Sequence, residues 1–382
     1  MGTNQLQAVS AEAPGTAAAS ALPATDWLRW GPLQLHPHGM YRVSYGNGIL
    51  AGPGQPAKTL INEVSPGMLI NLGSKWKLDY TPTLRFYSSS RFRDTLDHSV
   101  LLSGGTTYED WIFGLSQSYI SSSTPLVETA SQTAQQNYAT ALSATRFLST
   151  KMSLELGANQ SFRFVGQSAF NQALSDSKDW STMEWLNYQF WPKFGLALGA
   201  GGGYSAISHS TDMTYYEIQG RLNWSAGTKL TLSLSGGFED RQFVDAKAPD
   251  LINPLFGLTA FYQLFQTTTF SLSATRSVNA SYFQNQITEN TSVTAHVRQR
   301  LLKKLSLDLS GGYSLTTYDS TTVFGLPINR EDDRSFVNIR LTAPFLKRGT
   351  ASVYYDYSKN TSTAPGFHYA SNQTGLELGY QF

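Results

Sequence analysis

The side chains with the most chemical potential in this sequence share one property: each falls on the polar parity of a stretch whose other parity is apolar. They are Lys77, Asp79, Arg85, Glu155, Arg163, Glu217, Arg221, Glu239, Arg241, His296, Arg298, Arg300, Asp308, Arg340, Asp356 and Glu377. Acids and bases are present in comparable number. On a wetted inner wall they could bias the passage of anionic or sugar-like solutes, or pair with one another and leave the wall without selectivity. Arg298 and Arg300, followed by Asp308 and Arg340 on the next two segments, form a basic patch and the best candidate for a solute contact. Arg276 breaks the rule, sharing parity with Leu272 and Ala274, which a bulge or a place near a loop would explain.

Other chemistry is thinly represented. His36 and His38 would point the same way from a strand, but no third metal ligand accompanies them, so a surface pair is the better reading. His296 reads as a wall residue rather than a general base. Serine is abundant, yet no Gly-x-Ser-x-Gly elbow, phosphate loop or metal motif occurs. With no cysteine, disulfides, thiolate metal sites and a cysteine nucleophile are excluded. Neither a catalytic residue nor a cofactor is expected. A net charge of +1 suggests neither nucleic acid nor a polybasic membrane anchor.

The elements that position these residues are alternating strands. Leu305, Leu307, Leu309, Tyr313 and Leu315 face one way, and Ser306, Asp308, Ser310, Ser314 and Thr316 the other. Val337 to Phe345 repeats the pattern, as do the stretches around Leu154, Leu232 and Ile218. Tight turns are expected at 73–75, 108–110, 149–151, 192–193, 226–228, 266–269, 303–304 and 347–349. Longer polar connections are expected at 51–65, 121–135, 166–178, 244–253 and 320–330. About eight short and about nine longer connections give about 18 strands. Within 121–135, the segment Thr124 to Gln135 could constrict a pore, but an ordinary exposed loop is the preferred reading. Gly199, Gly201 and Gly203 on one polar face would allow curvature or close packing of a neighbouring side chain.

Composition agrees. Charged residues are only 14% and aromatics 13%, against roughly 25% charged in soluble domains. No stretch approaches the roughly 20 apolar residues of a membrane helix. A mean hydropathy of −0.26 does not speak against a membrane, because alternating strands average out. Trp76, Trp111, Trp224, Phe265 and Phe345 lie mostly beside the short turns, as in an interfacial aromatic girdle. The expected fold is therefore all-β: a transmembrane, antiparallel, up-and-down β-barrel with short periplasmic turns and longer extracellular loops, over residues 32–382. Residues 1–31 read as a flexible segment without a recognisable signal peptide.

The last segment alternates Thr374, Leu376, Leu378, Tyr380 and Phe382, and the sequence stops on that aromatic. This ending resembles the assembly signal of bacterial outer-membrane barrels, with Leu376, Leu378, Tyr380 and Phe382 as its residues. The resemblance implies reading by the barrel-assembly machinery and a place in outer-membrane lipid. The runs Gly257–Tyr262, Ser271–Arg276 and Leu309–Tyr313 resemble the putative β-barrel porin families, whose members often accompany exopolysaccharide export. The leading expectation is a porin-like channel for passive diffusion of small polar solutes, without a cofactor and not an enzyme. The alternatives are a conduit for exopolysaccharide working with periplasmic export components, and a structural or adhesive barrel with a plugged lumen.

Overall fold

A computed structural model describes residues 28–166, 174–244, 250–302, 304–320 and 330–382, for Arg29 the backbone only. The tail expected over residues 1–31 lies mostly outside the described residues. A two-residue strand, Arg29–Trp30, pairs back on Leu33 and Gln34. The barrel then runs through β1 (Leu33–Leu50), β2 (Pro56–Leu72), β3 (Trp76–Tyr87), β4 (Thr95–Tyr108), β5 (Trp111–Leu126), β6 (Ser131–Phe147), β7 (Met152–Val165), β8 (Ser177–Trp191) and β9 (Phe194–Ile207). It continues through β10 (Met213–Ala226), β11 (Leu230–Phe243), β12 (Leu251–Phe265), β13 (Thr268–Ala280), β14 (Gln286–Leu301), β15 (Leu305–Ser320), β16 (Arg330–Phe345), β17 (Gly349–Ser362) and β18 (Tyr369–Gln381). Each strand is antiparallel to its neighbours in sequence. β18 closes on β1 from Asn372 opposite Asn47 to Gln381 opposite His38.

The alternation explains which face looks out. Leu198, Ile218 and Phe238 are 73, 72 and 66% exposed on the outer parity. Such a continuous apolar surface is stable only against hydrocarbon. Contacts that skip strands identify the inner face: Arg221 on β10 reaches Glu155 on β7, which is possible only across the concave side. The chain is thus an outer-membrane barrel with a polar interior.

Short turns fall where the sequence places them, between β2 and β3, β4 and β5, and so on around one rim. Gly227 in one of them has φ 78°, a left-handed conformation that costs glycine little. The opposite rim departs from expectation. The connection expected at 51–65 ends at Pro56, where β2 begins, and the one at 121–135 shrinks to Val127–Ala130. Strands of 12 to 18 residues exceed the roughly 9–11 that cross a bilayer. Their extracellular ends continue the ladder into water, where both faces are polar and the alternation that marks a strand disappears. The connections near 166–178, 244–253 and 320–330 lie partly outside the described residues.

Among the described residues there is no central apolar core. The two buried apolar clusters both lie at the extracellular rim. One joins Ile49, Ala57, Ile61 and Phe92, and the other Ile207, Met213, Phe243, Val278, Ala280 and Ile287. The second anchors the end of the β13–β14 hairpin. β13 pairs with β12 only as far as Arg276, and the hairpin's free end packs against β9, β10 and β11.

Candidate functional site

The inner wall carries a belt of charges of alternating sign. Arg340 on β16 bonds Glu377 on β18 at 2.7 Å, and Glu377 also takes Arg42 of β1 at 2.5 Å. Arg42 reaches Glu63 on β2 at 3.3 Å, Glu63 takes Arg85 on β3 at 2.6 Å, and Arg85 ends the chain on Asp97 of β4 at 2.6 Å. The register explains most of the belt. Glu377, Arg42, Glu63 and Arg85 lie directly opposite one another on successive strands, so Glu63 falls between two bases, while Arg340 reaches Glu377 across the intervening β17. Two of these arginines also lie over the Tyr354 ring.

The facing wall is built from rings and glycines. A side chain at Gly199 would collide with the Trp185 ring at 2.6 Å, and one at Gly203 with the Tyr215 ring at 2.4 Å. Glycine at these positions lets the rings lie against the backbone. Arg221 then stacks on Trp185 at 4.4 Å while bonding Glu155 and Asn187, and Arg241 lies 5.0 Å from the Tyr215 ring centre while bonding Glu239 at 2.7 Å. Glu217 accepts from Gln219 at 2.6 Å, and Asp356 from Asn338 at 2.7 Å.

Towards the periplasmic end the wall is more open. His296 and Arg298 both approach Asp308, at 3.2 and 2.5 Å, and Arg298 remains half exposed. Arg340 bonds Glu377 rather than Asp308, which splits the basic patch the sequence suggested. Arg300 and Lys77 are exposed and make no ion pair among the described residues. Asp79 holds His38 at 3.4 Å, and no group of three metal ligands gathers among the described residues. Arg276 lies on the outer face at the extracellular end of β13, paired with Glu289 of β14, with no bulge between these strands; nearness to the loop end is the explanation.

At the extracellular mouth two connections cross the lumen. The β13–β14 tip, Ser281–Asn285, meets the β5–β6 loop, Val127–Ala130, although the two arise on nearly opposite sides of the ring. The Glu128 carboxylate accepts the Ser281 hydroxyl at 2.6 Å and the Tyr282 amide at 2.7 Å, and Tyr282 donates its phenol to Gln135 at 2.7 Å. Arg163, from the β7 wall, donates to the Ala280 and Ser281 carbonyls and lies 4.0 Å from the Tyr282 ring centre. Arg330 of β16 donates to the carbonyls of Val127 and Glu128, pairs with Asp332, and lies 3.6 Å from the Phe367 ring centre. The Glu128 carboxyl is enclosed by protein, and burial pushes its pKa above the ordinary carboxylate range despite the two guanidiniums. The exposed loop preferred for Thr124–Gln135 is therefore a correction: the segment is mostly strand, and its short loop turns inward.

The sequence did not single out Arg42, Glu63, Asp97, Glu128, Arg330 or Asp332. Arg42 was readable from its alternation with Tyr41, Val43 and Tyr45. Glu63, Glu128 and Arg330 fell in stretches read as loop, where parity carries no signal.

Residues 204–382 match the family described as "Putative beta-barrel porin 2". No curated protein matches the sequence. Among solved structures, OpdO of Pseudomonas aeruginosa is 12% identical with a TM-score of 0.48, over 91% of this chain and 97% of that one. The outer membrane protein OpdK of Pseudomonas aeruginosa is 11% identical with a TM-score of 0.48, over 91% and 98%. OccAB3 of Acinetobacter baumannii is 10% identical with a TM-score of 0.49, over 91% and 99%.

Proposed function

We propose that this bacterial outer-membrane β-barrel, which resembles a porin family over residues 204–382, is a porin-like channel for passive diffusion of small polar solutes. The observation that carries the reading is the closed ring itself, polar and charged within and apolar without. Eighteen strands about 4.8 Å apart and tilted about 40° enclose a ring about 35 Å across, enough for water after side chains are placed. No redox group or covalent step is needed: diffusion follows the solute gradient, and the wall supplies only friction and charge. Most wall arginines are already paired, Arg298 with Asp308 among them, so bias toward anions falls to the exposed Arg300 and Lys77 near the periplasmic exit. In biogenesis the closing strand, with Leu376, Leu378, Tyr380 and Phe382 on its outer face, is the segment we assign to recognition by the assembly machinery.

The test is single-channel recording of the refolded protein in a planar bilayer, with reversal potentials in a salt gradient. Discrete conductance steps are expected, with a mild anion preference. Silence from protein whose heat-modifiable gel mobility shows it folded would instead favour a plugged, structural barrel. The loops crossing the mouth are the observation that gives that second reading weight.

A further inference from the structure

The wall contacts described above join strands that are neighbours or a few places apart, but the contacts at the mouth join segments that start on opposite sides of the ring. Glu128 is the side chain that ties them. It alone bonds both the hydroxyl and the following amide of the facing tip, and Ser281, its partner, is only 1% exposed. Arg163 and Arg330 grip backbone carbonyls, one on each crossing segment, so each arginine holds the segment that has come across from the far side. Among the described residues the tip is further supported by the Tyr282 phenol on Gln135, the Ser175 amide on the Tyr282 carbonyl at 2.8 Å, the Asn285 amide on the Ser210 hydroxyl at 3.0 Å, a backbone bridge between Phe283 and Leu174, and the Phe283 ring edge-on to Phe367 at 6.5 Å. The stem is better held, because Val278, Ala280 and Ile287 belong to the buried apolar cluster and Arg241 donates to the Val278 carbonyl at 3.3 Å. A firm stem with a tip held mainly by polar contacts, and by one ring edge at Phe283, is the construction of a catch, since polar contacts can be exchanged for water at small cost while buried apolar ones cannot.

We propose that the β13–β14 tip and the β5–β6 loop form a latch across the extracellular mouth, held shut by the Glu128 carboxyl, and that solute entry requires its release. This rests on the porin reading and adds the regulation of that same lumen. Released, Glu128, Ser281 and the Tyr282 amide would all be hydrated, and the guanidiniums of Arg163 and Arg330 would be uncovered at the mouth, where they would draw anionic solutes inward.

The experiment compares wild type, Glu128→Ala, Glu128→Gln and the double variant Glu128→Cys/Ser281→Cys in planar bilayers, each shown folded by heat-modifiable mobility. The chain has no cysteine, so a short bifunctional thiol reagent acts only at the introduced pair. Loss of the two hydrogen bonds the Glu128 carboxyl accepts shifts a two-state ratio by roughly tenfold. Glu128→Ala should therefore raise the open fraction by about that factor, while Glu128→Gln, which keeps an acceptor, should lie nearer wild type. The reduced double variant should behave like Glu128→Ala and lose conductance when bridged. Conduction that is the same in all four proteins, bridged or not, overturns the latch and leaves the porin reading standing. Silence of every folded variant, Glu128→Ala included, overturns the porin reading and the latch with it.

Discussion

Glu63 and Glu377 each bridge two arginines, and this makes them the most informative residues of the wall. Neutralising either acid removes one negative charge and leaves two guanidiniums, Arg42 and Arg85 or Arg42 and Arg340, short of a partner. These groups are largely covered, so the freed arginines gain only part of the solvation they lose. Glu63→Gln and Glu377→Gln should each destabilise the barrel by about 1–3 kcal/mol, the range for hydrogen bonds to a charged group. Both should move the reversal potential toward the anion equilibrium potential, because the lumen becomes one charge more positive. A shift toward cations, measured in the same salt gradient, would mean that the belt does not face the conducting path. Paired Glu63→Gln and Arg85→Gln changes should restore much of the original selectivity, which separates a charge effect from a folding defect.

At the scale of elements, the mouth latch has a pH dependence whose sign can be derived. Burial raises the Glu128 pKa above its exposed value of about 4.3. Facing it are Arg163 from β7 and Arg330 from β16, which favour its charged form, with Asp332 beside Arg330; Tyr282 from the tip and Tyr318 from β15 stand near as neutral phenols, and burial pushes the Tyr282 phenol up as well. A group whose pKa is higher in the latched state binds more proton when latched. Closure is therefore fully favoured below the exposed Glu value and weakens as pH rises through the latched value. The open fraction of wild type should fall on acidification from neutral pH, and that of Glu128→Gln should change much less. Wild type opening in acid would contradict the assignment. The same scale shows where legibility ended. Inside the bilayer, strands such as β15 and β16 were readable to the residue, because lipid on one side and water on the other impose a strict period of two. Above the bilayer both faces meet water, so Glu128 and Arg330 lay in text that looked like loop, whereas Glu63, level with Arg42 in the apolar band, was lost because 51–65 read as one long polar connection. That two connections meet across the lumen depends on contacts between residues more than 150 apart, which no local pattern encodes.

For the whole molecule the governing partner is the lipid. Two aromatic girdles bound its apolar band. Trp111, which the sequence placed beside a short turn, stacks with Phe113 at the periplasmic edge, and Trp191 with Phe190 and Phe194, which the sequence did not single out, mark the same edge. The chain of ring contacts from Tyr119 through Tyr138, Phe164, Phe162 and Trp180 to Tyr204 marks the other edge, on strands whose ends the sequence did not place. On β8, Glu184 lies between Trp180 and Trp191, on the same outer parity as Trp180, Leu186 and Tyr188, opposite Leu156 on one side and Ala200 on the other. It is exposed, so it meets whatever covers the barrel at that depth. Basic residues facing mid-bilayer cost roughly 2–4 kcal/mol and acidic ones less. Against lipid alone, Glu184→Leu should stabilise the barrel by about 1 kcal/mol, read as a higher guanidinium midpoint in reversible unfolding from lipid vesicles, and Glu184→Gln should gain a fraction of that. The gain should be smaller in a short-chain detergent, whose headgroups and water reach the same depth. Destabilisation by Glu184→Leu in vesicles would count against lipid as the neighbour, since only a polar partner held at that face would make the carboxylate worth keeping.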